Sequence, residues 1–306
     1  MPSDDSLSLY EFLQKFPNEE SARVYFEKKR WEDGRRCPHC GGDDTVECVD
    51  HKPMPYRCRS CRKHFSVRTG TVLSESKVPL HKWLMAIYMM TTARKGIPST
   101  QMARELGVTQ KTAWFLAHRI REAWFNRNHD KMSGQVQVDE SYFGGKETNK
   151  HSVNKLRMGR GYVGKTPFVG IVSDSGKVIA QRIQRVDKKT LHGFIASKVA
   201  PGSTVVTDDL ASYKGLAGYR HISINHSVGE YIKFKAHTNG IESFWALLKR
   251  GYYGIYHYMS TKNLHRYINE FSFRHNISKV SAMEFIGCTL CEAVGKRLTY
   301  KELVHG

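Results

Sequence analysis

Four cysteines stand in two tight pairs, Cys37-Pro38-His39-Cys40 and Cys58-Arg59-Ser60-Cys61, with 17 residues between the pairs. Each pair can offer two thiolates from one knuckle, and two knuckles at this separation suit a single tetrahedral Zn²⁺. Gly41 and Gly42, directly after the first pair, supply the backbone freedom that such a turn requires. Two accidental pairs or a redox dithiol are the alternatives. The spacing favours one structural Zn²⁺ held by Cys37, Cys40, Cys58 and Cys61. Cys48, His39, His51 and His64 could replace a ligand, but the paired spacing makes them bystanders. Cys288 and Cys291 share one face of a helical stretch and have no second pair, so two buried thiols are expected there.

The second constellation is acidic. Asp139 is expected to close one strand and Asp208 another, while Glu242 falls near the start of a helix, 34 positions after Asp208. Carboxylates at the ends of neighbouring strands converge on one edge of an α/β sheet. Three of them can hold two divalent ions about 3.5–4 Å apart, the arrangement that serves in-line displacement at phosphorus. Oxygen-only ligation suits Mg²⁺ or Mn²⁺. Lys249 lies seven residues after Glu242, close to two helical turns, so both share a face and the lysine can reach a phosphate beside the metal. Any one of these carboxylates alone would read as a solvated strand end. The three together read as a site. Glu140 and Asp209 are adjacent carboxylates that could mimic the first two. Strand alternation puts Asp139 on the polar face with Gln135 and Gln137, which favours it over Glu140.

The elements that must position these groups follow from the pattern. Residues 1–30 read as two short helices, with Ser6 capping Leu7–Lys15 and Asn18 opening a run that ends near Trp31. Residues 31–69 form the cysteine-bearing segment, whose stretches from Tyr56 and from His64 alternate like short strands. A helix is expected over Pro79–Ala93. Ser99 then caps a short helix with Met102, Ala103 and Leu106, Gly107 permits a turn, and Thr109 caps a second helix with Ala113, Trp114, Ala117 and Ile120 as its apolar stripe. This is the pattern of a helix-turn-helix, whose second helix enters the major groove. Gln110, Lys111, His118, Arg119 and Arg121 are its expected DNA contacts, with Lys249 and Arg250 further along the chain. From residue 133 strands dominate: Gln135–Asp139, Phe168–Ser173, Lys177–Ile183, Ser203–Asp208 and His221–Asn225, with a helix over Thr190–Lys198 and a long helical stretch from Asn239. Such an order describes an α/β domain with a mixed sheet. Residues 144–166, rich in Gly and Lys, read as a mobile loop beside the site.

Lys plus Arg number 48 against 29 Asp plus Glu in 306 residues, a formal charge of +19. A basic excess of that size, spread along the chain, points to a polyanion, and nucleic acid fits better than a membrane surface. No basic amphipathic helix or lipidation motif is visible, and the longest apolar stretch, Trp83–Met90, is far short of the roughly 20 residues needed to span a bilayer. The opening Met1-Pro2-Ser3-Asp4-Asp5 lacks a basic region and an apolar core, so a cytoplasmic, nucleoid-associated protein is expected. With 40% hydrophobic and 11% aromatic residues, the chain can bury a core, which excludes a wholly disordered protein.

The sequence also resembles a known family, the DDE-type insertion-sequence transposases that carry a zinc ribbon ahead of an RNase H-like catalytic domain. The resemblance rests on Arg30-Trp31-Glu32-Asp33-Gly34 running into Cys37-Pro38-His39-Cys40-Gly41-Gly42, on Tyr56-Arg57-Cys58-Arg59-Ser60-Cys61 and on Phe65-Ser66-Val67-Arg68-Thr69-Gly70-Thr71. It continues through Val138-Asp139-Glu140-Ser141-Tyr142-Phe143-Gly144-Gly145, Thr207-Asp208-Asp209-Leu210-Ala211-Ser212-Tyr213, and His237 to Trp245, ending in Leu248-Lys249-Arg250. It runs in order from about residue 7 to residue 276. It implies Asp139, Asp208 and Glu242 as the three catalytic carboxylates. Asn239 stays open as a substitute for the third, since some relatives use Asn or His there.

The expected organisation is a helical segment (1–30), a zinc ribbon (31–69), a helical, helix-turn-helix-like DNA-binding region (70–130), an RNase H-like catalytic domain (131–280) and a helical tail (281–306). The expected activity is that of a transposase that binds the terminal inverted repeats of its own element, cuts them and joins the 3′-OH ends to target DNA. Pairing two ends implies at least a homodimer on DNA. The rivals are a zinc-ribbon regulator with a ligand-sensing α/β domain, which needs no acidic triad, and a nuclease that cuts without joining.

Overall fold

The computed structural model describes residues 7–125, 130–145, 162–224 and 238–305, together with 151, 153 and 155. These gather into two units, one holding the described residues up to Phe125 and from Lys279 onward, the other those between.

In the first unit, Ser8 rather than Ser6 starts α1 (Leu9–Lys15). Its hydroxyl accepts the Glu11 N–H while the Glu11 carboxylate accepts the Ser8 N–H, a reciprocal capping box. Asn18 opens α2 (Glu19–Arg30) in the same way with Ser21, and Trp31 ends it, as expected. Arg30 then donates to the carbonyls of Val67 and Thr69 at 2.5 and 2.6 Å, tying the helix end to the chain that leaves the ribbon. The ribbon itself is a three-stranded antiparallel sheet in chain order: β1 (Thr45–Glu47), β2 (Tyr56–Cys58) and β3 (His64–Phe65). Trp31 packs edge-on against Tyr56 and Phe65 beneath it.

Helix α3 (Leu80–Thr92) follows, burying Trp83, Leu84, Ile87 and Met90. The turn between α4 (Ser99–Leu106) and α5 (Gln110–Ala123) passes through Gly107 at φ 59°, which glycine adopts without steric penalty. Thr109 caps α5 by accepting the Thr112 N–H. Ser99 does not cap α4: Pro98 holds that position and Ser99 is already helical. Two further helices, α9 (Ala282–Glu292) and α10 (Tyr300–His305), complete this unit. Trp124 donates its indole N–H to Thr289 at 2.9 Å, and Val72 donates to the Ala293 carbonyl. The inward stripe of α9 is Phe285, Ile286, Thr289 and Leu290. Cys288 and Cys291 fall on its opposite face and are exposed, which corrects the expectation of buried thiols. No helix among the described residues is long and apolar enough to cross a membrane.

The second unit is built on a five-stranded mixed sheet with strands β4 (Gln135–Phe143), β5 (Thr166–Ser173), β6 (Val178–Arg182), β7 (Thr204–Asp208) and β8 (Arg220–Ile224), ordered β6-β5-β4-β7-β8. β5 and β6 extend it antiparallel on one side, and β7 and β8 run parallel to β4 on the other. This is the expected mixed-sheet architecture. β4 is longer than its sequence suggests, because β5 pairs with it from Val136 through Phe143. Asp139 therefore sits mid-strand, not at a strand end. The β7 ladder stops at Gln137–Val206, and β7 itself ends at Asp208, as expected. The Gly- and Lys-rich stretch expected as a mobile loop lies largely outside the described residues.

Alternation along β4 sorts the site. Val136 and Val138 join Val169, Ile171 and the residues of α6 (Lys188–Lys198) in one core. Phe143, Phe168 and Val172 join α7 (Asn239–Gly251) and α8 (Leu264–Asn276) in a core on the other face. Gln137 and Asp139 share this second face with α7. Directly across from Asp139 on β5 stands Gly170, where a Cβ would come within 2.7 Å of the Trp245 ring and 2.8 Å of Ile241 Cδ1. A glycine there is what lets α7 lie close on the sheet. Gly170→Ala should lower the stability of this unit by about 1–3 kcal/mol through overpacking. A reduced urea midpoint at unchanged slope would register it, and an alanine variant as stable as the parent would contradict the close approach.

Candidate active site and metal centre

The four ribbon thiols meet at one point. Cys37 Sγ lies 3.6 Å from Cys61 Sγ, and Cys40 Sγ 3.6 Å from Cys58 Sγ. Four thiolates around a tetrahedral Zn²⁺ at about 2.3 Å would stand about 3.8 Å apart, so the set fits that ion with little movement. The two knuckles repeat one hydrogen bond, Cys37 N–H to the Gly42 carbonyl and Cys58 N–H to the Lys63 carbonyl. After the second cysteine of each, the chain turns left-handed, at Gly41 (φ 77°) and at Arg62 (φ 58°). The Cys61 N–H draws the Cys58 thiol down to about 7, towards the thiolate that a metal needs. At Cys40 the Gly42 N–H acts in the same sense, but the thiols of Cys58, Cys61 and Cys37 outweigh it and push the group up to about 12. Crowded thiols that resist losing every proton are what a cation relieves.

On the sheet, ligand oxygens of Asp139, Glu140 and Asp208 lie within 4.8 Å of one another. Asp139 is brought there by β4 and Asp208 by the end of β7, where its side chain also accepts the Leu210 N–H at 3.2 Å. Glu140 belongs to the opposite face by alternation, and there the Tyr213 hydroxyl holds it at 2.9 Å. Tyr213 is fully buried in the turn after β7. Burial pushes the Asp139 carboxyl up to about 7. Repulsion from Glu140 and Asp208 adds to the rise, a backbone N–H opposes it, and the Glu242 charge contributes in the raising sense. Burial and the Asp208 charge likewise raise Glu140. The donor set, all oxygen and mutually repelling, suits a hard divalent cation.

Glu242 is not within the tight group. It sits exposed in the first turn of α7, accepting the Thr238 hydroxyl at 2.5 Å, on the helix that covers the Asp139 face. Asn239, Lys249 and Arg250 are exposed on the same helix, and Asp209 is exposed beside Asp208. Glu140, set aside in the sequence as a mimic, is thus the third member of the group that the fold gathers. Its signal was the Tyr213 partner, which no spacing rule exposes.

The expected DNA contacts divide sharply. Gln110 and Lys111 are exposed at the start of α5, with Lys111 Nζ 4.6 Å from the Tyr300 ring centre. His118, Arg119 and Arg121 are buried, which corrects the expected basic face. Arg119 donates to the Ser74 carbonyl and lies over Trp83 and Phe115, so its charge is spent on packing the unit.

Comparison with known proteins speaks to the class of protein. Residues 131–276 match the ISXO2-like transposase domain, and residues 17–64 match the transposase zinc-ribbon domain. Both halves point to one class, the DDE-type insertion-sequence transposases with a zinc ribbon. The chain belongs to that class, and its residues 131–276 resemble the ISXO2-like form of the transposase domain. It is 25% identical to an uncharacterized protein in transposable element ISH50 of Halobacterium salinarum, over 89% of this chain and 96% of that one. An uncharacterized transposase-like protein of Haemophilus influenzae is 31% identical over 35% of this chain and 86% of its own length. The crystal structure of a pre-cleavage Mos1 transpososome aligns at 9% identity over 68% of this chain and 78% of that one. Its TM-score of 0.26 is too low to bear on fold or site.

Two outcomes follow for the metals. Cys58→Ala should lose stoichiometric zinc, read by elemental analysis, and unfold the ribbon; retention of tightly held zinc would defeat the four-thiol assignment. At the acidic site, the folded-state pKa of Asp139, about 7, lies above its ordinary value of 3.8. Without cation, the folded site is therefore favoured when protonated, and that contribution is lost as pH rises from about 4 to about 7. A divalent cation must displace the proton below about pH 7, so Mn²⁺ affinity should climb up to tenfold per pH unit and level off above it. Binding that stays constant between about pH 5.5 and 7.5 would contradict the raised carboxyl.

Proposed function

We propose that the chain binds the ends of its own mobile element, cleaves them by hydrolysis and joins the exposed 3′-OH ends to target DNA. The observation that carries this reading is the meeting of Asp139 and Asp208 at the junction of two parallel strands, with α7 bringing Glu242 over the same face. Asp139, Asp208 and Glu242 would hold divalent cations, Mg²⁺ or Mn²⁺, with Glu140 as a close neighbour and Asn239 as the alternative third ligand. Such cations neutralise charge at the scissile phosphate and activate an attacking oxygen.

Two in-line substitutions then use one site. In the first, water attacks the phosphodiester at the element end, the bond from phosphorus to the 3′ oxygen breaks, and a 3′-OH is released. In the second, that hydroxyl attacks a target phosphodiester and a new phosphodiester forms as the old one breaks. The carboxylates keep the reacting groups in line, and Lys249 contacts a phosphate next to the site. Zn²⁺ in the ribbon holds its fold. The ribbon and the α4–α5 pair read the terminal inverted repeats, and Gln110 and Lys111, exposed at the start of α5, would contact a groove. Arg250 adds a backbone contact. Two ends must be paired, so the working form is at least a homodimer on DNA, acting in the cytoplasm at the nucleoid.

A strand-transfer assay with labelled element ends tests the reading. Asp139→Ala, Asp208→Ala and Glu242→Ala should each reduce cleavage and joining by at least about a thousandfold while leaving end binding nearly intact. Lys249→Ala should lower cleavage by about tenfold to a hundredfold, mainly through weaker engagement of the end. Full activity in Asp139→Ala would remove the metal-site reading and revive the regulator. Cleavage without joining would identify a nuclease.

A further inference from the structure

The N-cap residue of α7 supplies no side-chain cap. Thr238, at the N-cap position, makes no side-chain capping bond and instead donates its hydroxyl to Glu242. The first N–H groups of a helix need acceptors, and buried ones left without them are costly. Here the acceptor comes from another element. Gln137 Oε1, on β4, accepts the Gly240 N–H at 2.9 Å and the Ile241 N–H at 3.1 Å. Gln137 is 5% exposed in a strand whose neighbours are valines, so a polar side chain there requires partners. The contact also dictates residue 240: a Cβ there would stand 2.8 Å from Gln137 Oε1.

We infer that Gln137 is a positioning residue for the active site: by capping α7 from β4, it fixes Glu242 relative to Asp139. This rests on the reading of Glu242 as the third carboxylate. Gln137 and Asp139 are two residues apart on one face of one strand, and Ile241 and Glu242 are adjacent on the helix. The first and third carboxylates are thereby linked through a single side chain and two main-chain amides. Gly170, opposite Asp139, sets how closely the helix lies, and Gln137 sets where along the strand it begins. Lys249, two turns further on, inherits the same placement.

The test uses the full chain with its zinc in four variants. Gln137→Met keeps the length and loses the acceptor; Gln137→Glu keeps an acceptor that the helix N-terminus favours. Gly240→Ala presses on the contact from the helix side, and Glu242→Ala removes the ligand. Amide hydrogen exchange at Gly240 and Ile241 reports the cap, and Mn²⁺ titration without DNA reports the site. In Gln137→Met both amides should exchange at least about tenfold faster, and half-saturating Mn²⁺ should rise by about tenfold. Gln137→Glu should protect the amides as the parent does and bind Mn²⁺ no more weakly. Gly240→Ala should follow Gln137→Met in milder form. Parental exchange in Gln137→Met would overturn the cap, and faster exchange with unchanged Mn²⁺ binding would overturn its positioning role. If Glu242→Ala binds Mn²⁺ as the parent does, the third-ligand reading falls, whereas loss in Glu242→Ala with none in Gln137→Met sinks only the present inference.

Discussion

Repulsion between carboxylates is the constraint around which the second unit is arranged. Asp139, Glu140 and Asp208 crowd within 4.8 Å on a partly buried stretch of sheet, where burial alone already opposes their charge. A chain of net charge +19 does not relieve this by its overall field, because the local cost is one of desolvation at short range. The fold keeps the groups together by separate means. β5 holds β4 extended past Asp139, a side-chain turn at Leu210 fixes Asp208, and the Tyr213 hydroxyl secures Glu140 from the other face. Each support is uncharged.

Much of this was legible in the sequence, for reasons that differ by residue. The ribbon ligands are encoded locally, since two knuckles of two thiolates need only short spacing. Asp139 and Asp208 were legible because strand alternation and apolar runs mark where a polar side chain must emerge. The limit of Asp139's strand was not, since the length of β4 is decided by its partner β5. Burial of charge was the least legible property. His118, Arg119 and Arg121 look like a basic face, yet all three are buried, and Arg119 meets a ring and a carbonyl acceptor contributed from distant sequence, Trp83 and Ser74. The same limit hid the exposure of Cys288 and Cys291, whose i, i+3 spacing fixes a common face but not which way it looks. Glu140 and Gln137 owe their roles to Tyr213 and to the amides of α7, partners 73 and more than 100 positions away.

The two ribbon knuckles show how one geometry is reached at unequal cost. Gly41 takes its left-handed angle freely, and Arg62 takes nearly the same angle with a side chain. A non-glycine residue there costs about 1–2 kcal/mol, which the metal-bound form can absorb because ligation fixes the turn. Without metal that restraint is gone, so the second knuckle is the weaker half.

The return of α9 and α10 to the first unit makes the second unit an insertion within it. On the ribosome, domains tend to fold in the order in which they emerge. Here the order cannot be followed. When residue 278 leaves the exit tunnel, the whole second unit is available, but Trp124 still lacks Thr289, and Val72 still lacks the Ala293 carbonyl. The first unit closes only once the residues from Lys279 through α10 have also been made. A polypeptide that stopped at residue 278 would hold the whole second unit but leave the helical unit open along α3 and α5, so the residues after 278 are needed by one unit and not by the other.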